Sequence, residues 1–193
     1  MKKNTSIITG VVLLILMASL YRIMPGRPYG FAPQIAMALF AGSIIKDKKY
    51  SFLLPLFSML FSDILYELLF QLKVSAMPGF YSGQLINYIL FVGLTVVGFK
   101  IKQTNALQIF AGSLVGASLY FLLSNLVVWI GGGLDIANMP YSKSISGLIS
   151  CYVSAIPFYK MSIYATLFFN TILFGGYYII NRFVAPSPVL AKL

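Results

Sequence analysis

One run of residues, Tyr50–Leu72 (YSFLLPLFSMLFSDILYELLFQL), constrains this chain more than any other. It is longer than the ~20 apolar residues that carry a helix across hydrocarbon. Yet it holds Asp63 and Glu67, two of the four acidic residues in the protein. Four positions apart, their carboxylates stack on one face of a helix. A charged carboxylate at bilayer depth costs about 3 kcal/mol or more unless it faces protein or water. The fold must therefore supply an interior for that face.

Composition says what surrounds it. Of 193 residues, 59% are hydrophobic and only 9% charged, against roughly 25% charged in a soluble domain. Mean hydropathy is +0.88. The expected class is an all-α membrane protein of one domain, with the lipid bilayer as solvent. The net charge of +10 does not read as a nucleic-acid surface. Its Lys and Arg cluster at the ends of apolar runs, where they set topology and meet headgroups. With no His and a single Cys151, the chain offers no disulfide, no Cys/His metal cluster and no Ser/His/Asp set. Glycine-rich phosphate loops are missing too. An enzyme is not expected, nor a resident cofactor; Cys151 reads first as a small buried hydrophobe and only second as a soft-metal ligand.

In order, the predicted spans are about 5–23, 32–46, 50–72, 85–99, 106–130 and 161–181. The first, preceded by Lys2 and Lys3, reads as uncleaved, because Ala18-Ser19-Leu20 makes a poor signal-peptidase site. Between spans one and two, Pro25, Pro28 and Pro33 with Gly26 and Gly30 form a knot that forbids continuous helix. Span two is short and rich in small residues (Ala36, Ala38, Ala41, Gly42), which suits it to packing on protein. Span five carries Gly112-x-x-x-Gly116, a packing motif. Ser144–Phe158 is apolar but only about 15 residues long, so a re-entrant or interfacial segment before the last span is expected. A short tail containing Pro186 and Pro188 follows Asn181-Arg182.

With both termini inside, nine Lys and Arg fall on the inner side and five on the outer; letting 144–158 cross makes it eight against six. The positive-inside rule thus favours six spans with cytoplasmic ends. The knot, the loop 73–84 and the 131–160 segment then share the outer face. Aromatic and polar residues gather there: Arg22, Arg27, Tyr29, Tyr81, Asn87, Tyr88, Asn125, Trp129, Tyr141 and Tyr152. They read either as an aromatic belt or as the wall of a small-molecule pocket. Asp63 and Glu67 have three readings: ion pairs to Arg22 or Arg27 that hold the knot, contacts to a substrate, or a proton or cation path. The last is weakened because spans four to six carry no further intramembrane charge.

The run Arg22-x-x-Pro25-x-x-Pro28-x-x-Phe31-x-Pro33 leads into Ala36-Met37-Ala38-Leu39-Phe40-Ala41-Gly42. Together with Leu60-Phe61-Ser62-Asp63, Ser124-Asn125 with Trp129, and Gly147 through Phe158, it resembles an uncharacterised family of small bacterial inner-membrane proteins. That family is similar to the substrate-binding S components of energy-coupling factor (ECF) transporters. The resemblance, over about residues 20–175, implies a six-helix inner-membrane protein that captures a vitamin-like small molecule from outside and pairs with a transmembrane coupling subunit and ATPases. Many S components carry Ala-x-x-x-Ala on helix one; here that helix has Gly10 and Ala18 without such a pair. On this reading the pocket lies among spans three, five and six, with Asp63 fixing a polar group or an arginine, Asn125 hydrogen-bonding and Trp129 stacking. Glu67, Arg22 and Tyr152 stand beside them. The alternative is a membrane assembly or scaffolding protein that binds a protein partner through its outer loops.

Overall fold

The computed structural model describes residues 2–180 and 182. Among these the chain is helical throughout: α1 (Lys2–Ile23), α2 (Gln34–Ile44), a single turn α3 (Lys48–Ser51) running into α4 (Leu53–Gln71), α5 (Gln84–Gly98), α6 (Ala106–Ile130) and α7 (Ile145–Ile179). The tail with Pro186 and Pro188 lies outside the described residues.

The short helix α2 is the centre of the molecule. Every residue from Gln34 to Gly42 is buried, and α4, α5, α6 and α7 pack around it. Its small residues are the reason. Gly42 of α2 and Gly98 of α5 bring two backbones together so closely that a Cβ on either would collide with a carbonyl of the other helix, that of Thr95 or Leu39. On the opposite side, Gly116 of α6 receives the Leu39 side chain, whose Cδ1 would stand 3.1 Å from an added Cβ. Gly112 receives Ile101 in the same way. The small-residue spacing read from the sequence is therefore used for close helix contact, as such spacing commonly is.

Polarity is inverted relative to a soluble domain. Ser19, Ser58, Ser62, Asp63, Thr95, Ser113 and Asn170 are buried, while Leu85, Ile89, Leu107, Ile145, Phe168 and Ile172 are each more than half exposed. Two helical stretches, Lys48–Gln71 and Ala106–Ile130, are long and apolar enough to cross a membrane.

One expectation is corrected. The segment 144–158 is not a separate re-entrant piece followed by a span at 161–181; both belong to α7, one helix of 35 residues. Ser144 caps it by accepting from the Gly147 amide at 3.2 Å. Pro157 lies inside, where its ring forfeits one amide hydrogen bond, to the carbonyl four residues back. In this apolar setting one lost bond does not end the helix. At 1.5 Å per residue α7 is about 52 Å long.

The consequence is a hairpin of α6 and α7 that projects past the knot. The knot docks on α7 at Gly30, whose carbonyl accepts from Ser162 at 3.3 Å. Ser162 lies well inside α7, about 25 Å of helix from Ile145. The 131–144 segment is therefore a remote tip. There Asp135 closes a turn through the amides of Ala137 and Met139 at 2.8 and 3.0 Å. Lys143 caps the end of α6 at the carbonyls of Trp129 and Ile130.

Candidate functional site

The acidic face of α4 meets α1 and α5. Ser19 of α1 donates to the Ser58 carbonyl at 2.9 Å. One turn further along both helices, Arg22 reaches Ser62 Oγ at 2.5 Å and forms an ion pair with Asp63 Oδ1. From α5, Gln84 Nε2 and Tyr88 OH both donate to Asp63 Oδ2, the latter at 2.5 Å. Gln84 and Tyr88 are four apart, so the first turn of α5 presents both to one carboxylate. Asp63 is 1% exposed, and a carboxylate so buried is sustained by a charge partner and several donors.

Arg22 ends α1, where a cation also complements the helix dipole. Its carbonyl accepts from Tyr66 OH at 2.7 Å and from Arg27 Nε at 3.2 Å. Arg27 Nη1 donates to the Phe31 carbonyl at 2.8 Å, so the knot is wound around Arg27. Glu67 does not pair with Arg22. Its Oε2 accepts the Gly79 amide at 3.1 Å, and its Oε1 accepts from Gln71 at 2.8 Å. Gly79 lies so close to the α4 backbone that a Cβ there would overlap the Asp63 carbonyl. Glu67 is thus a clasp for the 73–83 loop.

Under the knot lies a cavity of about 170 Å³. Its polar lining comes from Arg22, Arg27, Gln34, Asn87, Tyr120 and Ser162, with Met59, Ile35 and Phe91 supplying apolar wall. Tyr120 stacks on Phe91 with centroids 4.9 Å apart. Its hydroxyl donates to Asn87 Oδ1 at 3.2 Å, and Asn87 Nδ2 donates to Tyr81 OH at 2.6 Å. Gln34, the first residue of α2, is 2% exposed, and its Nε2 has no hydrogen-bond partner. Buried polar groups are paired in the great majority of cases, so this amide is a donor in search of an acceptor.

Of the residues selected from sequence, the structure gathers Arg22 and Asp63 at this place, with Arg22 on the cavity wall and Asp63 behind it. Asn125, Trp129 and Tyr152 lie on the projecting hairpin and do not line the cavity. Asn125 Nδ2 donates to the Phe121 carbonyl at 2.7 Å, Trp129 Nε1 to the Ser142 carbonyl at 2.8 Å, and Tyr152 OH to the Leu122 carbonyl at 2.7 Å. The Trp129 and Tyr152 bonds tie the two arms of the hairpin together, while the Asn125 bond stays within α6. Cys151 is buried there, its Sγ 3.6 Å from the Asn125 carbonyl. The sequence reading missed Gln34 and Gln84, and it placed Tyr88 only among the outer-face aromatic residues, not beside Asp63. A usable signal for Gln34 was present: it is the one long polar side chain in a helix otherwise built of small and apolar residues.

A second cavity of about 340 Å³ opens between α6 and α7 at the other end, near Gln103 and Tyr178. It contains Asn170, which donates to Ser113 Oγ at 2.7 Å while its Oδ1 has no partner. Among the described residues, no charged side chain lines it.

Residues 2–189 match the family described as a family of unknown function, DUF6580, and the chain belongs to it. No curated protein and no solved structure matches the chain.

Proposed function

We propose that this DUF6580 member is a multi-pass protein of the bacterial inner membrane that binds a small molecule in the cavity under the knot, in the manner of a transporter S component. The observation that carries the reading is the buried, unpartnered Gln34 amide on the wall of a cavity held open by a satisfied polar frame. A cavity that served packing alone would be lined by apolar groups. The inverted polarity and the two span-length helices support residence in a bilayer. The lysine-rich turns 46–49 and 100–102 support an orientation with those turns inside and the knot outside.

In this reading Asp63 positions Arg22, Glu67 secures the loop, and Gln34, Arg22, Arg27, Asn87 and Tyr120 face the solute. The volume suits something smaller than the ~300–1,000 Å³ sites of drug-sized ligands. Transport would draw its energy from a coupling subunit with ATPases, since the chain carries no phosphate loop.

The second reading, a membrane assembly or scaffolding protein, has one observation of its own: the hairpin tip presents Leu134, Ile136 and Met139 to solvent, Ile136 at 98% exposure. Native mass spectrometry of protein extracted in membrane discs separates the two. A retained small molecule that is lost in Gln34→Leu, or a copurifying ATPase complex, supports solute binding. A retained protein partner, no small molecule, and indifference to Gln34→Leu would refute it.

A further inference from the structure

Resting on the reading of the knot cavity as a solute site, we propose that its occupant is a small oxyanion, a carboxylate or phosphate group, held by Arg27, the Gln34 amide and the start of α2. Four independent observations converge on negative charge. Arg22 is neutralised by Asp63, but among the described residues Arg27 has no acidic partner; its Nε and Nη1 are spent on two carbonyls, and its remaining guanidinium protons face no protein acceptor. Among the described residues, no acidic side chain lines the cavity. The unpartnered atom of Gln34 is the nitrogen, a donor, so what it lacks is an acceptor. Finally, α2 begins at the cavity with Gln34 and Ile35, and its N-cap, Pro33, makes no side-chain capping bond. The first amides of an uncapped helix are free donors at the positive end of the helix dipole.

The hydroxyl and amide on the far wall are already committed: Tyr120 donates to Asn87, and Asn87 to Tyr81. That side therefore offers an aromatic and amide surface rather than charge, which fits a ligand with one anionic end and a small uncharged remainder. An oxyanion of this kind comes either from a free acid or phosphate in solution or from the headgroup of an acidic phospholipid.

The test uses the full chain in discs of phosphatidylcholine, with thermal unfolding followed against acetate, succinate and inorganic phosphate. Acetamide and succinamide serve as neutral matches, and sodium chloride holds ionic strength constant. Saturable stabilisation by at least one oxyanion and none by the amides is expected. Arg27→Gln weakens it at least tenfold, Arg27→Lys less, and Gln34→Glu abolishes it by placing a carboxylate where the acceptor binds. Lys73→Gln, on the exposed loop outside the cavity, leaves it unchanged. The two cavity positions are varied separately, so a folding failure in one leaves the other as the test. In parallel, native mass spectrometry of protein taken from bacterial membranes assigns the source. An acidic phospholipid lost in Arg27→Gln identifies a headgroup, and a lost soluble acid identifies a free solute. Amides that bind as well as acids, or Arg27→Gln within twofold of the parent, overturn the oxyanion assignment and leave the cavity as a solute site. Binding of no probe, with no retained small molecule, overturns both.

Discussion

Asp63 is the place where the packing argument can be broken with one substitution. Replacing it with Leu deletes the acceptor for Arg22, Gln84 and Tyr88 together. The guanidinium is left with Ser62 Oγ and the face of Tyr66, 5.6 Å from its ring centroid. Removing one partner of a buried pair costs about 3–5 kcal/mol. Arg22 retains 16% side-chain exposure, so water recovers part of its solvation and the lower figure applies to its own share; the Tyr88 hydroxyl, left without its acceptor, raises the total toward the upper one, while Gln84 Nε2 keeps the Gly79 carbonyl at 3.1 Å. For a chain of this size each kcal/mol moves the melting temperature by roughly 2–4 °C, giving a fall of roughly 6–20 °C for Asp63→Leu. Arg22→Met alone strands the carboxylate and costs a similar amount. The double variant Arg22→Met with Asp63→Leu removes both charges and falls short of the sum of the singles by about 2 kcal/mol or more. Thermal unfolding in membrane discs, read by loss of the monodisperse peak, measures all four corners. A fall under about 2 °C for Asp63→Leu, on the same scale, or strictly additive singles, would show that the pair does not hold α1 and α5 to α4.

Three further outcomes follow from the packing. Gly98→Ala drives a methyl into the Leu39 carbonyl and is expected to cost about 1–3 kcal/mol, whereas Gly93→Ala, with nothing within 4 Å of its added methyl, is neutral or gains up to about 1 kcal/mol; equal melting temperatures for the two would refute the close α2–α5 contact. Gln34→Leu relieves an unpaired amide and is expected to stabilise the unliganded protein by about 1–3 kcal/mol while it abolishes solute retention; a destabilised variant would mean that the amide is bonded after all. Cys151, at 2% exposure, is expected to resist maleimide in the folded protein and to react fully in dodecyl sulfate; rapid labelling of the native chain would place it on an open face.

Much of this arrangement is written in residue types whose burial has one physical solution. A helix built from Ala36, Ala38, Ala41 and Gly42 can approach its neighbours more closely than any leucine-rich helix, and α2 does so on several sides. Asp63 in an apolar run requires a cation, and Arg22 at the end of α1 supplies it. Other features depend on three-dimensional offsets that no local pattern reports. Gln84 and Tyr88 look like headgroup-level polar residues until the 73–83 loop folds back through Gly79 and places them over Asp63. Asn125 and Trp129 look like pocket residues until α6 and α7 are seen to overshoot the knot. The apolar run Ser144–Phe158, about 15 residues long, reads as a segment separate from the last span, yet the single amide bond missing at Pro157 is too small a loss to split a helix held along its length by α6.

The central position of α2 also bears on how the chain is made. Its eleven residues rise about 16 Å, about half the ~30 Å of a bilayer core, so it cannot dwell in lipid as a spanning helix of its own. Three of the helices that enclose it, α5, α6 and α7, lie C-terminal to it and leave the ribosome later. During synthesis α2 must therefore wait, tethered between α1 and α4 and unfinished, until the second half of the protein arrives to shut around it. Truncation after α4 is expected to leave a species that quality-control proteases recognise, because the helix at its heart still lacks three of its walls.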